Sequence, residues 1–533
     1  MGKIAARVAP LLCLVAGIQP WAGVEAELVL LVTLTRHGSR APNPVIDELC
    51  PENRDNRAQY NVPPGQLTEI GMKQALKLGT YLREEYVESM DFLPPSLGNG
   101  SERSFSSKFM SDSAERCLQT AQVVGMGLFP NGTGPPGFPN QPVAVETEQK
   151  EFATLLAAAQ GVCLPQQKAD NAAYDLTRGK DLIGQNKNIT DVIAQACGTP
   201  TENYAHADNG REGLVLGVKD VGDMLDFDEQ QGLPGLESVS KKNHEEMTQL
   251  AFTLLQERYY SNRRQITYWS GDFPTTLLDS FHKAVHKHSK GKKPARLYLG
   301  YHGHRELLYG LAHFLGWKFD VEGAPTALGT SSIPPATTMI FELHYSSDEE
   351  TDGSDPEATN HSNGHEDVDL SATTSENEGL ARGGEVGYYY VRPYTWTPDF
   401  GKQEVVLDAC RGAEAVKGNR CRLTTLEAVV LESIKETGSW QDICRHVPFD
   451  QAEKLAQRRT FGVTDDATTG LVENASYNKA RRPFFEHLIN LMTSVGVVAS
   501  IAVVGAVTWL GAIAAKTTWR SVAWRGVGYQ VVP

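Results

Sequence analysis

A run from Leu28 to Leu34, apolar apart from Thr33, gives way after Thr35 to Arg36, His37, Gly38, Ser39, Arg40, Ala41 and Pro42. The run is rich in Val, Leu and Thr and too short for a helix, which predicts a buried strand delivering a charged loop. A similar order recurs at residues 296–300, where a short apolar strand ends in Tyr301, His302, Gly303, His304, Arg305 and Glu306. A helix bearing Leu307, Leu308, Leu311 and Phe314 follows. Leu67, Gly71, Gln74, Leu78 and Leu82 recur at helical spacing behind Thr68, predicting a helix from Thr68 to about Tyr86 with the threonine as N-cap. Residues 104–110 read as a second strand, followed by a helix that opens across Ser111–Arg116 and runs towards Leu128. Residues 338–344 and 386–392 read as two further strands. Between 130 and 262 the chain is mostly polar, lacks strand alternation and has helical segments near 150–160 and 245–260. The expected fold class is therefore α/β: a mixed central sheet flanked by helices, formed by 27–129 and 263–450, with a helical lobe inserted at 130–262.

The two ends follow other patterns. Residues 1–26 carry Lys3 and Arg7, an apolar stretch over 8–18 and small residues ending at Ala26, the order of a secretory signal peptide. Five glycosylation sequons, at Asn99, Asn131, Asn188, Asn360 and Asn474, agree with translocation. Residues 488–515 contain no charge and are long enough for one transmembrane helix, preceded by a juxtamembrane segment at 451–487. Basic residues flank that span on both sides, so the signal peptide decides the orientation: a large domain outside the cytosol and a cytosolic tail at 516–533. Within the tail Tyr529 and Val532 have the spacing read by endocytic sorting adaptors. The expected location is the secretory and endosomal pathway, ending in the lysosome or at the cell surface.

Charge sharpens this picture. The formal net charge is −15, yet residues 346–385 hold twelve Asp and Glu against the single Arg382, leaving the remainder close to neutral. That segment is too polar to offset its ordering entropy and reads as a disordered, solvated insertion between two strands. A nucleic-acid partner is excluded for want of a basic surface. Of eight cysteines, Cys13 falls in the signal peptide; among the other seven, Cys410 and Cys421 form the easiest local loop, and at least one stays free or pairs between molecules. Close CxxC repeats, which a structural zinc site needs, are absent. Homodimer formation is compatible with the sequence.

The candidate chemistry lies where the strands end. Two arginines and a histidine emerging beyond a strand's carboxyl end suit an anion, with the imidazole as base, donor or nucleophile. Arg116, near a helix N-terminus, suits the same ligand. His302 and His304 alternate without a nearby third ligand, which is weak ground for a metal.

Arg36-His37-Gly38-Ser39-Arg40-Ala41-Pro42, Ser111-Asp112 with Arg116, and His304 at a strand-to-helix turn together resemble the histidine acid phosphatase family, in its lysosomal-type, membrane-anchored branch. The resemblance implies a phosphoglycerate-mutase-like fold and hydrolysis of phosphomonoesters with no metal and no cofactor. It makes His37 the nucleophile, Arg36, Arg40 and Arg116 holders of the phosphoryl oxygens, and His304 a further donor. It also implies disulfides Cys163–Cys444 and Cys410–Cys421, leaving Cys50, Cys117 and Cys197 unassigned. One position departs: most members have Asp directly after the second histidine, whereas this chain has Arg305 and then Glu306. A Glu two places after that histidine is similar to the multiple inositol polyphosphate phosphatase branch, making Glu306 the expected general acid and an acidic optimum the expected pH response. Arg305 then binds a second phosphate or makes an ion pair on the helix surface. The alternatives are an inositol polyphosphate phosphatase and a catalytically weak phosphate-binding receptor.

Overall fold

The computed structural model describes residues 26–97, 106–205, 213–319, 332–347, 387–411 and 419–445. Eight strands in this part form one sheet: β1 (Glu27–Arg36), β2 (Ser107–Ser111), β3 (Val145–Thr147), β4 (Tyr298–Gly303), β5 (Thr338–Ser346), β6 (Tyr388–Thr397), β7 (Gly401–Glu404) and β8 (Cys421–Arg422). Their order is β3-β2-β4-β1-β5-β6-β7, with β8 paired to β6. The first four are parallel to one another and the rest join antiparallel, giving the expected mixed sheet.

Strand β1 is apolar at consecutive positions because both of its faces are covered. Leu30, Val32 and Leu34 pack with α9 (Phe273–His288) and α10 (Arg305–Leu315). Leu31 faces α1 (Glu69–Arg83) and α2 (Glu115–Leu128), among Leu78, Leu82, Val124 and Leu128. Thr33 and Thr35 share the face of Leu31, and their buried hydroxyls are satisfied by Tyr298 and Thr338. As expected, Thr68 caps α1, its Oγ1 accepting from Gly71 N at 3.2 Å.

The segment between β3 and β4 is largely helical: α3 (Leu164–Asp175), α4 (Arg178–Gln185), α5 (Lys187–Ala196), α6 (Leu214–Gln230), α7 (Lys241–Tyr260) and α8 (Arg263–Ser270). Its own apolar cluster, including Ile193, Val218, Met224 and Leu254, also takes in Val45, Ile46 and Leu49 from the chain after the first loop. The disulfide Cys50–Cys197 joins the same two regions, and Cys163–Cys444 and Cys410–Cys421 are formed as well.

Two local readings need correction. The helical pattern at 150–160 gives only a 3₁₀ turn, Lys150–Phe152. There the Glu148 carboxylate accepts from the backbone N–H groups of Thr154, Leu155 and Leu156, donors that a helix beginning nearby would otherwise have to satisfy. Within the stretch read as a helical lobe without strand alternation, Val145–Thr147 adds an edge strand beside β2, too short to show alternation. No helix among the described residues is long and apolar enough to cross a membrane. The signal peptide, most of the acidic segment, the 488–515 span, Tyr529 and Val532 lie outside those residues, as do Asn99, Asn360 and Asn474. Asn131 and Asn188 are exposed.

Candidate active site

Strand register gathers the candidate residues. Parallel strands β2, β4 and β1 lie side by side, with Ser111 opposite His302 and Arg36 opposite Gly303. Their carboxyl ends therefore open at one edge of the sheet, where His37 N donates to Gly303 O and Asp112 N to His302 O, both at 2.9 Å. Arg36–Arg40, Asp112–Arg116 and His304–Glu306 emerge together, although 188 residues separate Arg116 from His304.

The first loop is held from beneath by α1. Thr68 N donates to Ser39 O at 3.0 Å, and Ser39 N to Gln74 Oε1 at 2.9 Å. The loop and the helix meet closely here: a Cβ on Gly38 would run into Gly71 O, and a Cβ on Gly71 would run into Ser39 O. Gly71→Ala is accordingly expected to cost about 1–3 kcal/mol through overpacking. Because the displaced atoms belong to the loop carrying His37, turnover should fall as well; thermal melting and initial rates on the same sample check both.

His37 is buried, and its Nδ1 lies 2.8 Å from Gly38 O. That contact fixes the Nδ1–H tautomer and leaves Nε2 with its lone pair. Burial first, then the charges of Arg116, His304, Arg36 and Arg40, hold its pKa well below the ordinary histidine value. The imidazole is therefore neutral and nucleophilic. The His304 ring stands edge-on to it at 5.3 Å. Nδ1 of His304 lies 3.5 Å from Arg116 Nη2, while its Nε2 lies 3.4 Å from Asp112 Oδ1 and 3.7 Å from Cys117 Sγ. Burial and the Arg116 charge oppose protonation of His304, but Cys117 and Asp112 outweigh them and raise the pKa to about 9, which favours the cationic form of this histidine.

The arginines divide into two kinds. Arg36 donates to Ile333 O, with its Nε unpartnered; Arg40 donates to Ala41 O and Asn43 Oδ1 and lies 4.5 Å over the Phe227 ring; Arg116 donates to Gly65 O at 3.4 Å, its Nε also unpartnered. Among the described residues none of the three has a carboxylate within ion-pair distance. Burial and Arg305 lower Arg36 to about 10, and burial and Arg116 lower Arg40 to about 9; Asp223 raises both, but not enough to offset burial among like charges. An oxyanion among them relieves that repulsion. Arg305, equally buried, is neutralised: its Nη2 donates to both Asp223 oxygens at 2.8 and 2.7 Å. It thus pairs in the interior with the helical lobe rather than on the helix surface.

Glu306 occupies the first turn of α10, its carboxylate 3.6 Å from Arg305 Nε. Burial alone would raise its pKa, but Arg305, His304 and Lys219 outweigh this and draw it down to about 2. His302 is a core residue, stacked on Phe109 at 6.3 Å and kept neutral by burial, with its pKa lowered to about 3. Asp112, Cys117 and His304 present three ligand atoms within 4.8 Å of one another, the one group of that kind among the described residues. Sequence reading missed Asp112 as a partner of His304, and the whole contribution of α6. Gln230 Oε1 accepts from Ser39 Oγ at 3.1 Å, and Gln231 donates to Ser39 Oγ and Thr68 Oγ1. The spacing of Lys219, Asp220, Asp223 and Asp226 in an otherwise apolar stretch was the available signal.

A family model described as the histidine phosphatase superfamily (branch 2) matches residues 27–354. The chain is 34% identical over 146 residues to testicular acid phosphatase of Mus musculus, covering 26% of this chain and 31% of that protein. For testicular acid phosphatase of Homo sapiens the figures are 33% over 140 residues, 26% and 30%. The likeness thus spans under a third of these relatives' length. In structure the chain is similar to Hafnia alvei phytase in complex with tartrate, with TM-score 0.51 and 15% identity over 78% of this chain and 100% of that one. This likeness concerns the fold alone.

Proposed function

Since the chain belongs to the histidine phosphatase superfamily, branch 2, we propose that it hydrolyses phosphomonoesters through a phosphohistidine formed on His37, with no metal. The observation that carries this reading is the convergence of Arg36, Arg40 and Arg116, none neutralised among the described residues, around a neutral imidazole with a free Nε2. Phosphoryl transfer asks chiefly for positioning and charge stabilisation. The three guanidiniums, with the His304 cation as a fourth donor, supply both when the phosphoryl oxygens lie between them. Nε2 of His37 attacks phosphorus in line with the ester oxygen, and water then cleaves the N–P bond. Glu306, expected from chain order to be the general acid, would first have to gain a proton against Arg305 and His304. In the free protein we assign it to balancing those charges.

The remaining parts of the proposal rest on the sequence. A signal peptide at 1–26 and an apolar span at 488–515 make this a single-pass type I membrane protein of the lysosome or cell surface, its sorting read from Tyr529 and Val532. Incubating the full chain with a radiolabelled phosphomonoester and quenching in base tests the central step. Label is expected on the peptide containing His37, stable to alkali and released by acid. Turnover without such label would remove the covalent mechanism.

A further inference from the structure

Helix α6 turns Lys219, Asp220, Asp223, Asp226, Phe227 and Gln230 towards the sheet edge; at 3.6 residues per turn they fall within an arc of about 120°. Five of the six are engaged. Lys219 Nζ bonds Asp220 and Asp223 at 3.1 and 2.7 Å, and Asp220 also accepts from Asn43 Nδ2 at 3.3 Å. Asp223 grips Arg305, the Phe227 ring lies under Arg40, and Gln230 accepts from Ser39. Asp226 has no hydrogen-bond or ion-pair partner among the described residues, and it is half-buried. Its neighbours in the arc fix its place. Asp226 lies at the edge of that arc, one turn after Asp223, which is anchored to Arg305, and one turn before Gln230, which is anchored to Ser39, and so within electrostatic reach of Arg36 and Arg305.

We propose that Asp226 is a further catalytic residue of this site, the acid that protonates the oxygen leaving phosphorus. The proposal rests on the phosphatase reading and names a residue outside the three loops that define it. In the first step the His37 Nε2–P bond forms and the P–O ester bond breaks. The electron pair stays with the ester oxygen, which takes the Asp226 proton and departs as the alcohol. In the second, the Asp226 carboxylate takes a proton from water as its oxygen attacks phosphorus, and the N–P electron pair returns to His37. Phosphate leaves and Asp226 is again protonated.

The surroundings suit this role. Burial first, then Asp223, raises Asp226 to about 7; Arg305 from α10 and Arg36 from β1 oppose, and Glu229 on its own helix adds to the rise. A carboxyl in that state keeps its proton in weak acid, whereas Glu306, at about 2, has lost it. A donor of this kind matters little when the leaving group is stable as an anion and greatly when it is not.

The test compares the full chain with its Asp226→Asn, Glu306→Gln and His37→Ala variants on an aryl phosphate and on an alkyl phosphate, from about pH 3 to about pH 8. Asp226→Asn is expected to slow the alkyl ester by about 10²-fold or more and the aryl ester by under about tenfold. In the unsubstituted chain the alkyl rate should hold through weak acid and fall above about pH 7, a limb absent from Asp226→Asn. Asp226→Glu should recover part of the alkyl rate. Equal losses on both esters, no loss on either, or selective loss in Glu306→Gln would overturn the assignment. If the unsubstituted chain hydrolyses neither ester, the phosphatase reading itself fails; if it hydrolyses both and His37→Ala does not, any failure belongs to Asp226 alone.

Discussion

His37→Ala is expected to lower release of inorganic phosphate from an aryl phosphate by at least about 10³-fold, equivalent to about 4 kcal/mol of transition-state stabilisation. The loss should fall on kcat. The methyl group of alanine removes the attacking nitrogen but leaves Arg36, Arg40 and Arg116 in place, so the anion still binds. Indeed binding of inorganic phosphate should persist within a few-fold, because the guanidiniums still lack counterions among the described residues. Steady-state kinetics and phosphate titration on one preparation separate the two effects. Equal kcat values for the variant and the parent would remove His37 from the mechanism.

The second large effect concerns stability. Asp223 lies 2.7 Å from both Arg305 Nη2 and Lys219 Nζ, and all three residues are buried. Asp223→Ala leaves two interior cations without their shared anion, and breaking such a pair from one side costs about 3–5 kcal/mol. Urea unfolding followed by fluorescence is the measurement. The pH response has a definite sign. Although burial alone would raise it, Arg305 and Lys219 hold the Asp223 carboxyl well below its usual range. Its contribution is therefore fully present above the unfolded-state value near 3.9 and is lost only as pH falls through the lower folded-state value. Stability should thus hold across the weakly acidic range, and Asp223→Ala should flatten its decline in strong acid.

Much of this site was legible because strands announce where they end. The apolar run at 28–34 stops against Arg36, and the helical spacing behind Thr68 predicts the element that supports the loop. Arg116 and His304 were legible as chemistry from the residues themselves but as neighbours only through the family resemblance, since their meeting depends on β2 and β4 sharing a sheet edge across 188 residues of chain. Helix α6 escaped for a different reason. It is buried on most sides, from Val215 and Val218 to Leu225 and Phe227, which blurs the one-sided periodicity that reveals a surface helix. Its acidic residues therefore passed without a role inside the mostly polar helical lobe. Cys50 and Cys197, 147 positions apart, carry no local mark of their pairing.

That last bridge has a bearing on processing. His37 lies before Cys50, while Arg116 lies between the two half-cystines and His304 after them. A protease cutting one peptide bond anywhere from 50 to 197 would therefore leave the nucleophile tethered to the portion that carries His304, as a two-chain form held by sulfur. Such a form would come apart only under thiol reductants, so a nicked molecule in an oxidising compartment need not shed its reactive histidine.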